Sequence, residues 1–516
     1  MNRTAIFRWG VWFWVLGLIV FLGVGQLLSQ SPGGVTEVHE DLDIAYVDIR
    51  YGFSVSPPLG SGVWGGAVAG QGEFKEYLGL SDWSALEADE GKALVQFRQG
   101  VGDYVLTVAR LVGKDNLGRE EMMQGRAEYW KGKAGVEKVT QGQDEDGSAE
   151  ASRLKVELKK GAVEGKVSAI REELFELKAG CYLMLSLLSD NQAGDDALMD
   201  LIVEHFEVMS ETDRKNRWAT ALLEAESLMG ALDFHGLREL MLDEQWFRII
   251  RNHQDIGYLQ MLGQLGGDGY LIPVSQATPN TLEIYELEIT VDVQSYIDDK
   301  IAAEKLARLL NVSSNKNDHQ GPARASTDEK VRMKKADMIR VNFYSTVLQD
   351  METEYFYFEV KGKEDYQYRE SGEWIGGTMK VVRYDNPQDR RESTVVSLEP
   401  NPLLYLPGEI SHLMPQVLSG APGQEYVFSL YSNRGLKDYV IRTYGRRDVE
   451  IEIEPAAAGG EPKRKEFFAY YLVSQAGGDG PIVEIWVDQD GYILKQHSEG
   501  LVLLRSDAAT VKKMWK

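Results

Sequence analysis

The sequence carries a single cysteine, Cys181, in 516 residues. No intrachain disulfide can form, whatever compartment the chain occupies. The usual structural zinc sites, built from four cysteines or from two cysteines and two histidines, fall to the same count. Histidine is scarce as well, and the seven (His39, His205, His235, His253, His319, His412 and His497) do not pair at metal-ligand spacing. The motifs H-E-x-x-H, G-x-S-x-G and the P-loop are absent. Cations are outnumbered: 56 Lys plus Arg stand against 80 Asp plus Glu, a net charge of −24. Nucleic-acid affinity rests mostly on Lys and Arg neutralising phosphates, so this balance argues against a nucleic-acid partner. It argues equally against docking on anionic lipid by charge, and it favours a self-repelling, soluble body.

Charge is missing altogether between Arg8 and Glu37. Within that gap Trp9–Leu28 (WGVWFWVLGLIVFLGVGQLL) is apolar for about 20 residues, the length that crosses a hydrocarbon layer of ~30 Å. Arg3 and Arg8 precede the run, and acidic residues follow it. The positive-inside bias therefore predicts a cytoplasmic N-terminus with the bulk of the chain outside. The run is longer than the ~7–15 apolar residues usual in a signal peptide, so an uncleaved anchor is the reading. Gly23-Val24-Gly25 keeps a cleaved signal, and with it a secreted or periplasmic protein, as the alternative. Ser29–Thr36 reads as a spacer.

The remaining length suits two or three domains. Residues 37–212 read as a first α+β domain. Ile44–Val55 reads as one strand ending at Pro57-Pro58. Ala93–Arg98 and Tyr104–Leu111 read as a hairpin. Arg153–Leu158, Lys166–Leu177 and Cys181–Leu188 supply further strands, the last nearly all apolar and hence central. Asp195-Asp196 opens a helix running on through VEHFEVM, with Leu198, Leu201, Ile202, His205 and Phe206 on one stripe. His205 is read there as a packing residue. Gly60–Gly65 matches G-x-G-x-x-G in letter only. Prolines precede it and further glycines follow, so it reads as a surface loop and not as a dinucleotide site.

Residues 213–242 read as a helical connector, with Trp218, Leu222, Ala225 and Leu228 at helical spacing. Residues 243–516 then read as one large, mostly antiparallel sheet, with Asp438–Tyr444 and Val449–Ile453 among its separate strands. It has a helix over 295–310, a polar loop at about 311–330 and a short helix over 407–418. Leu282–Val293 alternates but slips at Tyr285-Glu286, as at a bulge. Asp488–Gly491 is spaced as a tight hairpin turn rather than a calcium loop, which would need its glycine two positions later. The fold class is therefore α+β: an N-terminal transmembrane helix, an α/β sandwich, then a large curved antiparallel sheet with packed helices.

Two resemblances follow. "YGFSVSPP", a strand-rich middle, "CYLMLSLLSD" and a closing helix ending "VEHFEVM" resemble the PsbP-like α/β sandwich over residues 44–209. That family shares no catalytic residues, so the likeness implies a fold alone. "EQWFRIIRNHQDIGYLQ" and "VEIWVDQDGYILKQHSEGLVLLR" resemble the two ends of extracytoplasmic β-rich domains related to the periplasmic lipoprotein-carrier (LolA/LolB-like) half-barrel. This second likeness implies a concave apolar surface able to receive an acyl chain.

The sequence thus leads to a membrane-anchored or exported extracytoplasmic binding or scaffold protein, with an apolar or lipid ligand in the C-terminal sheet. Phe343, Phe356, Phe358 and Trp486 are the candidate lining residues. No catalytic residue, metal ligand or cofactor is assigned. The expected partners are the membrane through the N-terminal helix, and a lipid or an envelope protein. Two alternatives stay open. One is an envelope-polymer hydrolase with an Asp/Glu pair, which would leave no spacing signature. The other is a structural partner of another envelope protein.

Overall fold

In the computed structural model the described residues lie between Leu42 and Met514, outside 66–90, 144–151, 160–167, 233–244, 266–280, 293–337, 385–392, 455–462 and a set of shorter connections. The expected anchor at 9–28, the helix at 295–310 and the loop at 311–330 lie outside the described residues. Among the described residues, no helix is long and apolar enough to cross a membrane.

The chain order begins with β1 (Tyr46–Asp48), β2 (Phe53–Val55), β3 (Ser61–Gly65), β4 (Lys92–Gln99) and β5 (Tyr104–Val112). Helix α1 (Arg119–Lys131) follows, then β6 (Val136–Gln143), β7 (Ser152–Leu158), β8 (Ala169–Lys178), β9 (Cys181–Ser189), α2 (Asp195–Glu204), β10 (Glu207–Val208) and α3 (Glu211–Ala231). The second half runs β11 (Gln245–Arg251), β12 (Gln254–Met261), β13 (Gly263–Leu265), β14 (Thr281–Ile284), β15 (Glu288–Asp292), β16 (Met338–Leu348), β17 (Thr353–Lys361), β18 (Tyr366–Ile375), β19 (Thr378–Tyr384) and β20 (Ser393–Leu398). It closes with α4 (Gly408–Leu418), β21 (Glu425–Ser432), β22 (Gly435–Glu454), β23 (Lys463–Ala476), β24 (Ile482–Val487), β25 (Ile493–Ser498), β26 (Leu501–Ser506) and α5 (Ala508–Met514).

The protein is α+β, built mostly of antiparallel sheet. A seven-stranded sheet has the order β3-β4-β5-β9-β8-β7-β6, and β9 is its middle strand. The reason is legible in CYLMLSLL. Side chains alternate across a strand, and here both sets are apolar. Leu183, Leu185 and Leu187 enter one core; Tyr182, Met184 and Leu188 enter another on the opposite face. A strand wet on one face would not tolerate that pattern.

Helix α1 covers the second of these faces through Met122, Met123, Ala127 and Trp130. It also carries Arg126, fully buried, into the core. Arg126 Nε and Nη2 donate to Glu172 Oε2 and Oε1 of β8 at 2.9 and 2.6 Å, and the Trp130 indole donates to Glu172 Oε2 at 3.1 Å. Glu172 stands in register with Ser186, Ser186 with Thr107 and Thr107 with Gln96. A buried polar row therefore crosses four strands beneath α1.

A larger sheet follows the path β20-β19-β18-β17-β16-β15-β12-β11-β26-β25-β24-β23-β22-β21. The hairpin expected at Gln245–Met261 is present as β11–β12, and the strand slip at Tyr285-Glu286 falls between β14 and β15. The two ends of the path curl toward each other. Arg383 of β19 donates to the Tyr431 hydroxyl of β21 at 2.7 Å, and Tyr405, just beyond β20, pairs with Ser429 of β21 as a parallel bridge. Helix α4 touches both β16 and β24, strands far apart along the path, so it lies across the concave side.

Several expectations change. Ile44–Val55 is a hairpin, because Asp48 Oδ1 caps the N–H groups of Arg50 and Tyr51 and Gly52 takes a positive φ of 76°. Ser61–Gly65, within the expected glycine loop, is an edge strand held by β4 through Val63–Phe97 pairing. Helix α2 ends at Glu204, and Phe206 lies beyond it in the core. Asp438–Tyr444 and Val449–Ile453 belong to one strand, β22, which turns at Gly445 (φ 81°).

Breaking the Arg126–Glu172 pair by Arg126→Met alone strands a buried carboxylate and is expected to cost ~3–5 kcal/mol. Replacing both by Met is expected to recover most of that loss, as read from urea unfolding midpoints.

Candidate functional site

The concave end of the large sheet gathers an aromatic cluster. Phe356, Trp374, Met379, Val381 and Tyr405 form it, with Tyr431 and Leu398 packed against them. The Trp374 and Tyr405 rings lie 4.5 Å apart and the Phe356 and Tyr431 rings 5.3 Å apart. Polar groups pin the rings. The Tyr405 hydroxyl donates to buried Glu354 at 2.8 Å, and Arg383 Nε donates to Glu370 at 3.1 Å. Burial and the nearby Glu370 charge raise the Tyr431 hydroxyl's pKa, so it stays protonated. The Trp374 indole N–H is buried and meets no acceptor among the described residues.

The four candidate residues from the sequence divide. Phe356 is in this cluster, seated over Gly372 of β18; a Cβ at Gly372 would lie 2.2 Å from its ring. Phe343 and Phe358 face each other in register on β16 and β17, and their side chains lie outside the described set. Trp486 lies elsewhere, buried in the core shared with the first half, 5.0 Å from the Tyr471 ring and beneath Lys495 Nζ at 4.6 Å. The Asp488–Gly491 turn is a hairpin turn. Asp488 Oδ1 accepts the N–H groups of Asp490 and Tyr492 at 3.0 and 2.8 Å.

A second constellation sits where the two halves meet. Arg442 of β22 is buried and stacks on Tyr46 of β1 at 5.3 Å. Its Nε donates to Glu425 at 3.3 Å, and Nη2 lies 3.9 Å from Asp48 Oδ1. Burial works against its charge, but Tyr46, Asp48, Tyr444 and Glu425 outweigh that and raise its pKa. Arg50 Nη1 reaches from the β1–β2 turn to Gln475 Oε1 at 3.1 Å and the Gly477 carbonyl at 2.8 Å. Arg447 pairs with Asp43 at 3.4 Å and lies over the Tyr471 ring.

Buried Glu484 of β24 accepts from the Tyr471 hydroxyl at 2.7 Å, from His497 Nδ1 at 2.6 Å and from the Val63 backbone N–H at 3.1 Å. A cleft lined by Asp43, Ser61, Tyr444, Arg447, Tyr471 and Val473 opens beside these groups. Its volume of about 20 Å3 is room for a water molecule and not for a lipid.

Among the described residues, no group of three His, Cys, Asp or Glu side chains could hold a metal ion. Cys181 is buried at the start of β9, in register with Val112 and Lys178. The buried ionic residues at the junction are not singled out by the sequence. Tyr46 lies near one end of the chain and Arg442 and Glu484 near the other, and only the strand pairing brings them together.

No protein-family model matches the chain, and no curated protein matches it. Solved structures give weak neighbours. One is a β-barrel-like protein of a domain of unknown function from Brucella abortus, 7% identical, covering 51% of this chain and 94% of that one, with a TM-score of 0.28. Another is the cyanobacterial PsbP of Synechocystis, 17% identical, covering 34% of this chain and 99% of that one, with a TM-score of 0.22.

Gly372→Ala forces the Phe356 ring out of its seat. The expected loss is ~1–3 kcal/mol from overpacking, read as a lower urea midpoint. Arg442→Met takes the buried cation away from Asp48 and Glu425, and among the described residues Glu425 keeps only the half-exposed Arg217. It is expected to cost ~3 kcal/mol or more on the same assay.

Proposed function

We propose that this is a membrane-anchored or exported extracytoplasmic binding or scaffold protein, without an active site of its own, whose curved C-terminal sheet handles an apolar or lipid-like ligand. The observation that carries the reading is the aromatic cluster at the closing seam of that sheet, where the buried Trp374 N–H meets no acceptor among the described residues. A buried donor without a partner costs free energy. A ligand with an apolar body and one accepting atom would satisfy both features of the seam.

The placement outside the cytoplasm rests on the charge-free run Trp9–Leu28 and the arginines before it. The acidic balance supports a partner other than nucleic acid. The shared core between the two halves supports a rigid body that presents surfaces to an envelope partner.

Native mass spectrometry of the full chain, extracted from its own membrane, tests the ligand. A lipid-sized mass that co-purifies with wild type and is depleted in Trp374→Phe is the expected result. An apo mass alone would overturn lipid handling.

A further inference from the structure

The Glu484 carboxylate joins elements of both halves. Its three donors come from three strands: Tyr471 from β23, His497 from β25 and the Val63 amide from β3. Strand β3 is the edge of the seven-stranded sheet, and at this edge it meets β24 and β25. The approach is close, since a Cβ at Gly62 would lie 3.2 Å from His497 Cε1. From the β3 edge strand itself, SGVWG, no charged side chain can reach the carboxylate. What the large sheet offers to β3 at this point is one buried anion.

We propose that Glu484 is a protonation-controlled latch that holds the β3 edge of the first sheet on the C-terminal sheet and lets that edge go when the carboxylate takes up a proton.

The hydrogen-bond inventory gives the reason. An ionised carboxylate only accepts, and all three partners here can donate. A protonated one must donate through one oxygen, and the Tyr471 hydroxyl oxygen is the natural acceptor among the three. Oε2, which serves both His497 and Val63, then loses its charge, and charge-assisted bonds are roughly twice as strong as neutral ones.

The charged and titratable groups around Glu484 are Tyr471 on β23, His497 and Lys495 on β25, and Arg447 of β22 over the Tyr471 ring, itself paired with Asp43. Burial pushes the Glu484 pKa up. The His497 hydrogen bond and charge, then Tyr471 and Val63, pull it further down, to a net value below the ordinary glutamate range. The sign follows from that. The latch contributes fully above the unfolded glutamate pKa and is lost as pH falls through the lower, folded value.

Hydrogen exchange at the Val63 amide in the full chain, corrected for intrinsic rates, reads the latch directly. The β9 amides serve as the internal reference for the core. The expected result is a loss of Val63 protection of at least tenfold as pH falls below the glutamate range, while β9 stays protected. Glu484→Gln should show that loss already at neutral pH and no further pH step. His497→Gln, which keeps a donor, should retain neutral-pH protection. Val63 protection that survives acid until β9 fails with it would overturn the proposal. So would a Glu484→Gln protein whose Val63 amide is as protected at neutral pH as wild type.

Discussion

One apolar core is common to both sheets, and the rest of the structure is arranged around it. Leu183, Leu185 and Leu187 from the first sheet share it with Ile451, Tyr471, Val473, Trp486 and Leu504 from the second. Phe53 and Val55 of the short hairpin belong to the same core. Each sheet needs a cover for an apolar face, and each supplies part of the other's cover. The opposite face of the first sheet is closed by α1 instead. A smaller cluster of Ile49, Ala221, Val427 and Val440 extends the joint beneath α3.

The junction also buries charge, which apolar burial alone would not require. Arg442 is buried and Arg447 and Arg50 are half-buried; they come from loops and strands of both halves, and each finds carboxylates or carbonyls across the seam. Taking such groups out of water is costly, and their mutual attraction offsets the cost only when geometry is good. Apolar surfaces can slide on one another, whereas an arginine that must reach one carboxylate cannot. The buried ionic groups therefore set the register in which the two sheets meet. The Arg126–Glu172 pair does the same for α1 on its sheet.

Local order is largely legible in the sequence, because it rests on short-range periodicity. The doubly apolar β9, the β4–β5 and β11–β12 hairpins, helix α3 and the Asp488 turn all follow from spacing. Helix α1 is hidden, since buried Arg126 interrupts its apolar stripe and charged residues crowd the rest of REEMMQGRAEYWK. Strand β3 is hidden by its glycines, which suggest a loop until the β4 partner is seen. Strand β18 is masked for a related reason: Gly372 breaks its alternation, yet it is the position that seats Phe356. The candidate sites are less legible still. Glu172–Ser186–Thr107–Gln96 and Tyr471–Glu484–His497 are neighbours through strand pairing, and a linear reading carries no signal for that.

Calorimetry of the full chain tests the shared core most directly. If the two sheets depend on one another, heating gives a single transition with equal calorimetric and van't Hoff enthalpies. Two separated transitions, with Arg442→Met shifting only one of them, would contradict the account and make the halves independent bodies that merely touch.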